Sequence, residues 1–260
     1  MEKILFLLFA WFSCISGICQ VPVWEELNSN ATHFLNIIQL KDGSIVAAGG
    51  TGNNFTGEYP ARVAKYSSIG VPQWQHYGRV QITGECDIKQ AQNGNLIYAG
   101  SLHRFDTLLA PNPSDTYLQQ INVATGDTLT TWAQTYVTPT EFDFSTELLI
   151  LPNGDIVSAG MSIDQIAGAP SHKYYTLRRT DSLGNELWSK RYAKNGGTYG
   201  TRLLLNSAGN FVLAGRNYMP NNVTPYHPYL MEISPDGDSL RGKTVIIKDS
   251  SISGELGRLF

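Results

Sequence analysis

The sequence predicts an all-β chain in which short four-stranded sheets repeat, and three observations lead to this fold class. Charged residues make up only 16% of the 260 residues, against about 25% in a typical globular protein. Glycine (25), tyrosine (13) and proline (12) are abundant, as suits strands joined by turns. A glycine-containing pattern also recurs four times. The net charge of −3 argues against a nucleic-acid-binding surface, which is basic.

The first twenty residues have the layout of a secretory signal peptide. Lys3 precedes an apolar run over 4–12, and Cys19 stands at the −1 position of a cleavage site. The run is shorter than the ~20 residues that span a bilayer as a helix, which disfavours a membrane anchor. Acylation of Cys19 is disfavoured because Ile18 occupies a position where lipoprotein motifs have a small residue. We therefore expect a signal peptide at 1–19, a secreted or cell-surface protein, and no membrane span after signal removal.

The mature chain contains a repeated hairpin pattern. Each copy has an apolar stretch, then a turn with glycine, and then a second apolar stretch that ends in glycine. The four copies are 34–50, 87–100, 147–160 and 202–215, and they close at Gly49, Gly100, Gly160 and Gly215. Asp42-Gly43 and Asn93-Gly94 are typical of two-residue type I′ turns, which need positive φ at both central positions. Each copy therefore predicts two antiparallel strands.

A second hairpin follows each first one and carries a tryptophan in its last strand. Its turn glycines are Gly70, Gly126, Gly184 and Gly237. The tryptophans are Trp74, Trp132 and Trp188, with Trp24 one period earlier, whereas the last copy has none after Leu240. A period of roughly 50 residues with four short strands is typical of a β-propeller blade, since such a repeat must stack on its neighbours to bury its faces. A β-sandwich does not explain the recurring glycine and tryptophan positions.

The predicted domain organisation is one propeller over 20–260. We predict four blades of four antiparallel strands, a lone N-terminal strand over 21–27, and an incomplete ring. The predicted blades are 34–78, 85–137, 144–193 and 201–248, and 249–260 is the start of a further blade, with Glu255-Leu256 matching Glu147-Leu148. The alternative is a four-bladed ring closed by the strand at 21–27.

The repeat resembles those of secreted propellers from Bacteroidetes-like bacteria. Trp74-Gln75-His76-Tyr77-Gly78 and the stretch from Leu183 to Trp188 carry the resemblance, which covers 21–248. The repeat is also loosely similar to quinoprotein and Kelch repeats. The resemblance implies the propeller fold and export, with a C-terminal sorting domain of the kind used in type IX secretion. These motifs are structural, so they say little about function.

The sequence lacks the usual signatures of chemistry. It has no HExxH, CxxC or GxSxG motif, and although 237–244 has the GxxxxGKT spacing, this stretch lies in a predicted hairpin and not between a strand and a helix as a phosphate-binding loop does. We therefore predict no catalytic residue, metal or cofactor. Cys86 is the one cysteine outside the signal peptide and is expected to be a small buried residue. His103, His172 and His227 lie in loops of successive blades and could converge on an axis, although scattered placement explains them equally well.

The connections between the second and third strands of each blade are the predicted ligand-binding loops. They span 51–60, 101–114, 161–171 and 216–228, and they differ in sequence while the strands repeat. Aromatic rings with neighbouring donors suit glycan or peptide ligands. The candidate ligand-binding residues are Phe55, Tyr59, His103, Arg104, Phe105, His172, Tyr218, Tyr226 and His227.

An Asp-(Thr/Ser)-Leu tripeptide occurs four times and resembles an O-glycosylation signal of exported Bacteroidetes proteins. The candidate acceptors are Thr107, Thr128, Ser182 and Ser239. Asp and Ser also suit turns, and Leu suits the start of a strand, so the tripeptide has a purely structural explanation as well.

The leading hypothesis is a non-catalytic, exported binding or adhesion module that contacts a glycan or a protein at the cell surface. The first alternative is a propeller enzyme that acts on glycans. A pair of carboxylates from different blades, about 5 to 10 Å apart and facing the axis, would favour the enzyme. The second alternative is a structural segment of a larger surface protein.

Overall fold

The computed structural model describes eight stretches of the chain. They are 32–51, 60–81, 86–103, 114–138, 141–164, 172–192, 201–218 and 226–244. The predicted signal peptide, the predicted strand at 21–27 and the predicted start of a further blade at 249–260 lie outside these residues. Within the described stretches, no helix has the length and apolar composition to cross a membrane.

The described residues form sixteen β-strands in four antiparallel sheets, each ordered as in the chain. The first sheet comprises β1 (Thr32–Gln39), β2 (Ile45–Thr51), β3 (Pro60–Tyr66) and β4 (Pro72–Gln81). The second comprises β5 (Asp87–Gln90), β6 (Leu96–His103), β7 (Ser114–Ile121) and β8 (Thr128–Tyr136). The third comprises β9 (Glu141–Ile150), β10 (Ile156–Asp164), β11 (Lys173–Thr180) and β12 (Glu186–Tyr192). The fourth comprises β13 (Arg202–Leu205), β14 (Phe211–Tyr218), β15 (Tyr226–Ile233) and β16 (Ser239–Thr244).

Successive sheets stack around an axis, which confirms the predicted all-β propeller of four four-stranded blades. The first strands of neighbouring sheets contact one another, β1 with β5, β5 with β9 and β9 with β13. These are the innermost strands, as expected for a propeller. Among the described residues, the stacking runs from the first sheet to the fourth without closing, as an incomplete ring requires.

The turns between the first two strands of each sheet are three-residue loops, so the prediction of two-residue type I′ turns is wrong. In the first sheet, Leu40 N–H donates to Ser44 O at 2.8 Å and Gly43 N–H donates to Leu40 O at 2.9 Å. This pattern is typical of a type I turn followed by a left-handed residue. Only the third loop position needs glycine, and Gly43 has a φ of 81°. Asp42, at the second loop position, stabilises the turn through its side chain, which accepts a hydrogen bond from Ser44 N–H at 2.9 Å.

Equivalent apolar residues from each sheet pack on the next sheet. In the first sheet they are Val46, Ala48 and Val63, which lie in one cluster with Ile88 of the second sheet. The second sheet presents Ile97, Ala99 and Leu118 to the third, and the third presents Val157, Ala159 and Leu177 to the fourth. All nine are almost completely buried. Strand alternation places them on one face, which we call the leading face.

Tryptophans of the outermost strands join neighbouring sheets. Trp74 Nε1–H donates to Val123 O at 3.1 Å, and Trp132 Nε1–H donates to Ser182 O at 2.9 Å. Both acceptors lie in the turn between the third and fourth strands of the following sheet. Gly126 of that turn has a φ of 78°, and a Cβ there would lie 2.7 Å from the Trp74 ring. The turn therefore needs glycine both for its backbone and for the tryptophan packed on it.

Tyrosines near the tryptophans make a parallel set of contacts. Tyr136 Oη–H donates to Gly184 O at 2.7 Å, and Tyr192 Oη–H donates to Gly237 O, also at 2.7 Å. Each acceptor is the turn glycine of the following sheet. The outermost strand thus holds the next sheet by ring packing and by hydrogen bonds, while the leading face holds it by apolar burial.

Substitutions of Trp132 test this junction. Trp132→Ala should lower the free energy of unfolding by roughly 3–5 kcal/mol because it removes a buried ring. Trp132→Phe keeps most of the ring and should cost about 0.5–1.5 kcal/mol for the lost hydrogen bond. Leu187→Ala, at an exposed leucine of β12, is the control and should change stability by less than about 0.5 kcal/mol. Urea unfolding measures all three. Equal effects of Trp132→Ala and Leu187→Ala would contradict the junction.

Candidate functional site

The four innermost strands place polar side chains at equivalent positions around the axis. Asn36, Asp87, Glu147 and Arg202 are each paired across the strand with the alanine that precedes the closing glycine of the repeat. These partner alanines are Ala48, Ala99, Ala159 and Ala214. Together with Lys89, two residues after Asp87, the four side chains make a continuous series of contacts. We call Asn36, Asp87, Lys89, Glu147 and Arg202 the axial polar line.

Asp87 is the buried centre of this line and joins three sheets. Its side chain is 0% exposed. Oδ1 accepts hydrogen bonds from Ile88 N–H at 2.7 Å and from the Asn36 side-chain amide of the first sheet. Oδ2 accepts one from Leu148 N–H of the third sheet at 2.7 Å. Burial raises the pKa of Asp87, and the ammonium of Lys89, 3.0 Å from Oδ2, opposes that rise.

Glu147 is the second carboxylate and lies closer to solvent, with a side chain that is 12% exposed. Its Oε1 is 3.5 Å from Lys89 Nζ, and its Oε2 accepts a hydrogen bond from Arg202 Nη1–H at 2.9 Å. Burial raises the pKa of Glu147, and so does the negative charge of Asp87, whereas Lys89 and Arg202 act in the opposite direction. Asp87 Oδ2 lies 3.0 Å and Glu147 Oε1 lies 3.5 Å from the Lys89 ammonium. The sum of these two distances is the upper limit of the separation between the two carboxylate oxygens.

The end of the line at Arg202 is its most exposed part, which indicates where a ligand would bind. Lys89 is partly exposed, and the Arg202 side chain is 52% exposed. A guanidinium has five N–H donors in a fixed fork, and the bond to Glu147 uses one of them. Hydroxyl-rich ligands can therefore bind to Arg202 and to the carboxylate of Glu147. A carboxyl group with a raised pKa beside such a surface is also suited to donate a proton.

A second polar cluster lies inside the molecule, where the second sheet meets the third. It surrounds a cavity of about 30 Å³ lined by hydroxyl groups and by Asp143. Asp143 Oδ2 accepts a hydrogen bond from Thr138 Oγ1–H at 2.7 Å, and burial raises the pKa of this carboxyl. A cavity of this size has room for a water molecule. Within the described residues, no group of three or more His, Cys, Asp or Glu side chains is placed to hold a metal ion.

The structure describes the side chains of only a few of the predicted ligand-binding residues. Phe55, Tyr59, Arg104 and Phe105 lie outside the described residues. The structure describes the backbone of three more, all at strand ends, but not their side chains; these are His103, Tyr218 and Tyr226. His172 is half-buried, and its carbonyl accepts a hydrogen bond from Asp164 N–H at 2.9 Å.

His227 differs from the expectation that it lies in an exposed loop. The loop predicted over 216–228 is shorter, because β14 continues to Tyr218 and β15 begins at Tyr226. His227 pairs with Asn217 in this ladder and is 1% exposed. The start of this strand was not predicted because prolines stand on either side of the Tyr226-His227 pair, and such a composition is typical of loops.

The candidate glycosylation sites differ in accessibility. Ser182 and Ser239 are exposed. Thr128 is half-buried; its Oγ1 accepts a hydrogen bond from Gln119 Nε2–H at 2.7 Å and lies 3.0 Å from His76 Nε2. Thr107 lies outside the described residues. Ser182 and Ser239 therefore offer a hydroxyl to a modifying enzyme, and Thr128 does not in this arrangement.

The sequence analysis missed the axial polar line, although the repeats contain a signal for it. When the four copies are aligned on their closing glycines, a polar residue precedes an apolar one at the same place in each. Asp87-Ile88, Glu147-Leu148 and Arg202-Leu203 are clear cases. A polar residue at the same position of all four innermost strands is not expected from packing alone.

Comparisons with known proteins bear on the fold. No family model matches the sequence, and no curated protein matches it. The structure is similar to that of the Penicillium chrysogenum alpha-L-arabinanase complexed with arabinobiose, with a TM-score of 0.52 and 15% identity over 84% of this chain and 67% of that chain. The endo-arabinase from Bacteroides thetaiotaomicron has a TM-score of 0.45 and 12% identity, over 85% and 80% of the two chains. The xylan beta-1,4-xylosidase from Bacillus halodurans has a TM-score of 0.46 and 13% identity, over 82% of this chain and 44% of that chain. The likeness to the arabinanase agrees with the propeller fold.

The raised pKa of Glu147 predicts how stability depends on pH. Between the usual value of 4.5 and the raised value, the folded chain holds a proton that the unfolded chain has lost. The contribution of Glu147 to the free energy of unfolding therefore falls as pH rises through this window. Glu147→Gln removes the contribution, so its stability should decline less steeply than that of the wild type between about pH 4 and pH 7. Urea unfolding across this range measures both slopes. Parallel curves would contradict the assignment.

Proposed function

We propose that this chain is an exported propeller that binds a glycan at the axial polar line and hydrolyses a glycosidic bond there, with Glu147 as the proton donor. One observation carries the proposal. Asp87 and Glu147, from neighbouring innermost strands, are held by the same lysine, with oxygens 3.0 and 3.5 Å from its ammonium. Because the two carboxyl groups share one ammonium, the charge of Asp87 acts directly on Glu147 and raises its pKa, as suits the general acid of a glycoside hydrolase.

The two carboxyl groups have different environments, as such a mechanism requires. Glu147 reaches solvent and has a raised pKa, which suits a general acid that protonates the leaving oxygen while a solvent water adds to the anomeric carbon and releases its proton to the solvent. Asp87 is fully buried, so we assign it as a positioning residue whose charge helps to keep Glu147 protonated. Lys89 and Arg202 fix the orientation of the Glu147 carboxyl through contacts at 3.5 and 2.9 Å.

The choice of a glycan rests on the donor set and on one structural likeness. Arg202, Lys89 and Glu147 together offer several donors and acceptors at the exposed end of the line, which suits sugar hydroxyls. The arabinanase with the similar fold is complexed with arabinobiose. Arabino-oligosaccharides are therefore the first probe for this chain.

The second candidate function is the non-catalytic glycan-binding module, and one observation favours it. Asp87 is 0% exposed and already accepts four hydrogen bonds, one of them from Lys89. Among the described residues of the line, Glu147 is thus the carboxylate open to a ligand. A binding site needs only this group with Arg202, whereas hydrolysis needs a second carboxylate that water or the sugar can reach.

A comparison of binding with turnover separates the two functions. Calorimetry should detect binding of arabino-, xylo- or galacto-oligosaccharides, and chromatography should detect shorter products. Glu147→Gln should lower turnover by about 100-fold or more while the Kd changes little, since the amide keeps the shape of the side chain. Glu186→Gln is the matched control, because Glu186 pairs with Arg178 away from the axis. Binding without turnover in the wild type would leave only the binding module, and absence of both would refute the axial site.

A further inference from the structure

The leading face of the fourth sheet differs from the other three in having no sheet packed on it among the described residues. The equivalents of the nine buried leading-face residues are Val212, Ala214 and Leu230, since Leu230 pairs with Ala214 as Val63 pairs with Ala48. Val212 and Ala214 are only half-buried, and Leu230 is 41% exposed. Leu204 of β13 is exposed beside them. Four apolar residues on one face indicate a surface that binds an apolar partner.

We propose that the segment 251–260 of the same chain binds this face as a further innermost strand, with Leu256 packed on Val212, Ala214 and Leu230. The repeats provide the argument. In the polar–apolar pairs of the innermost strands, the apolar members Ile88, Leu148 and Leu203 are buried against the preceding sheet. Glu255-Leu256 repeats such a pair. The number of residues from Arg202 to Glu255 lies within the range of the spacings between Asn36, Asp87, Glu147 and Arg202.

The connection has a suitable length. β16 ends at Thr244, which leaves 245–250 before the segment. The earlier connections from an outermost strand to the next innermost strand are 82–86, 137–140 and 193–201, and the new one is intermediate in length. The chain can therefore return to the axis here as it does three times before.

A second copy of the chain is the other candidate occupant, and the first sheet argues against it. A copy that continued the ring would present the face of its first sheet opposite to the leading face, here called the trailing face, which bears Arg62, Ala64 and Tyr66. These residues alternate with Ala61 and Val63, which face the second sheet. All three are already almost completely buried within one chain, so this face is not open to another molecule.

Cross-linking tests the docking in the chain without its predicted signal peptide. In a Cys86→Ala background, Leu204→Cys with Leu256→Cys should form an intramolecular disulfide under mild oxidation, detected by mass spectrometry of the digested protein, because the innermost strands of neighbouring sheets contact one another at each earlier junction. Leu187→Cys with Leu256→Cys is the matched control, because Leu187 is similarly exposed but lies on β12 of the third sheet, and it should not cross-link within one chain. A disulfide only between two molecules, equal yields from both pairs, or no disulfide would overturn the proposal.

A stability measurement gives an independent readout. Leu256→Asp should lower the Tm by more than about 4 °C, because it places a charge on an apolar face. Leu240→Asp, at an exposed leucine of β16, is the control and should leave the Tm within about 2 °C. Equal Tm values for the two variants would overturn the docking. Neither readout needs a glycan, so the docking can hold where the proposed activity fails.

Discussion

Apolar burial between the leading face of one sheet and the body of the next is the constraint on which the rest of this molecule depends. A four-stranded sheet of this size cannot bury either face by itself, so each sheet is stable only against its neighbours. Val46, Ala48 and Val63 and their equivalents supply the contact. Trp74 and Trp132 add a second contact, with the turn between the third and fourth strands of the following sheet. The axial polar line exists because this stacking brings the four innermost strands together.

The axis combines stability and function in the same residues. Asp87 accepts hydrogen bonds from the first, second and third sheets, and a buried carboxylate is tolerated only when it is paired in this way. Its charge then acts on Glu147, which lies nearer to solvent and whose proton affinity it increases. A substitution at Asp87 would therefore disturb both the packing and the proton affinity of its neighbour, whereas one at Glu147 acts mainly on the site.

The repeat pattern was sufficient to predict the architecture, because a period of roughly 50 residues marked by Gly and Trp leaves few folds open. The site was harder to predict, because its residues are spread over four repeats and belong to no known motif. Alignment of the repeats places Asp87 and Glu147 at equivalent positions, but only the structure shows that Lys89 contacts both of them. His227 shows the opposite error, since its neighbouring prolines conceal a strand. The turn type was missed because Asp-Gly and Asn-Gly occur both in two-residue loops and at the end of three-residue loops.

The junction between the first two sheets uses the same kinds of contact as the junction between the second and third. A repeat gained by gene duplication would meet, on both of its sides, surfaces that already match its own. The number of blades in such proteins can therefore change in one genetic event without a new interface having to evolve. The polar residue of the innermost strand is the part of each copy that can then diverge, so a row of identical side chains can become a mixed set such as Asn36, Asp87, Glu147 and Arg202.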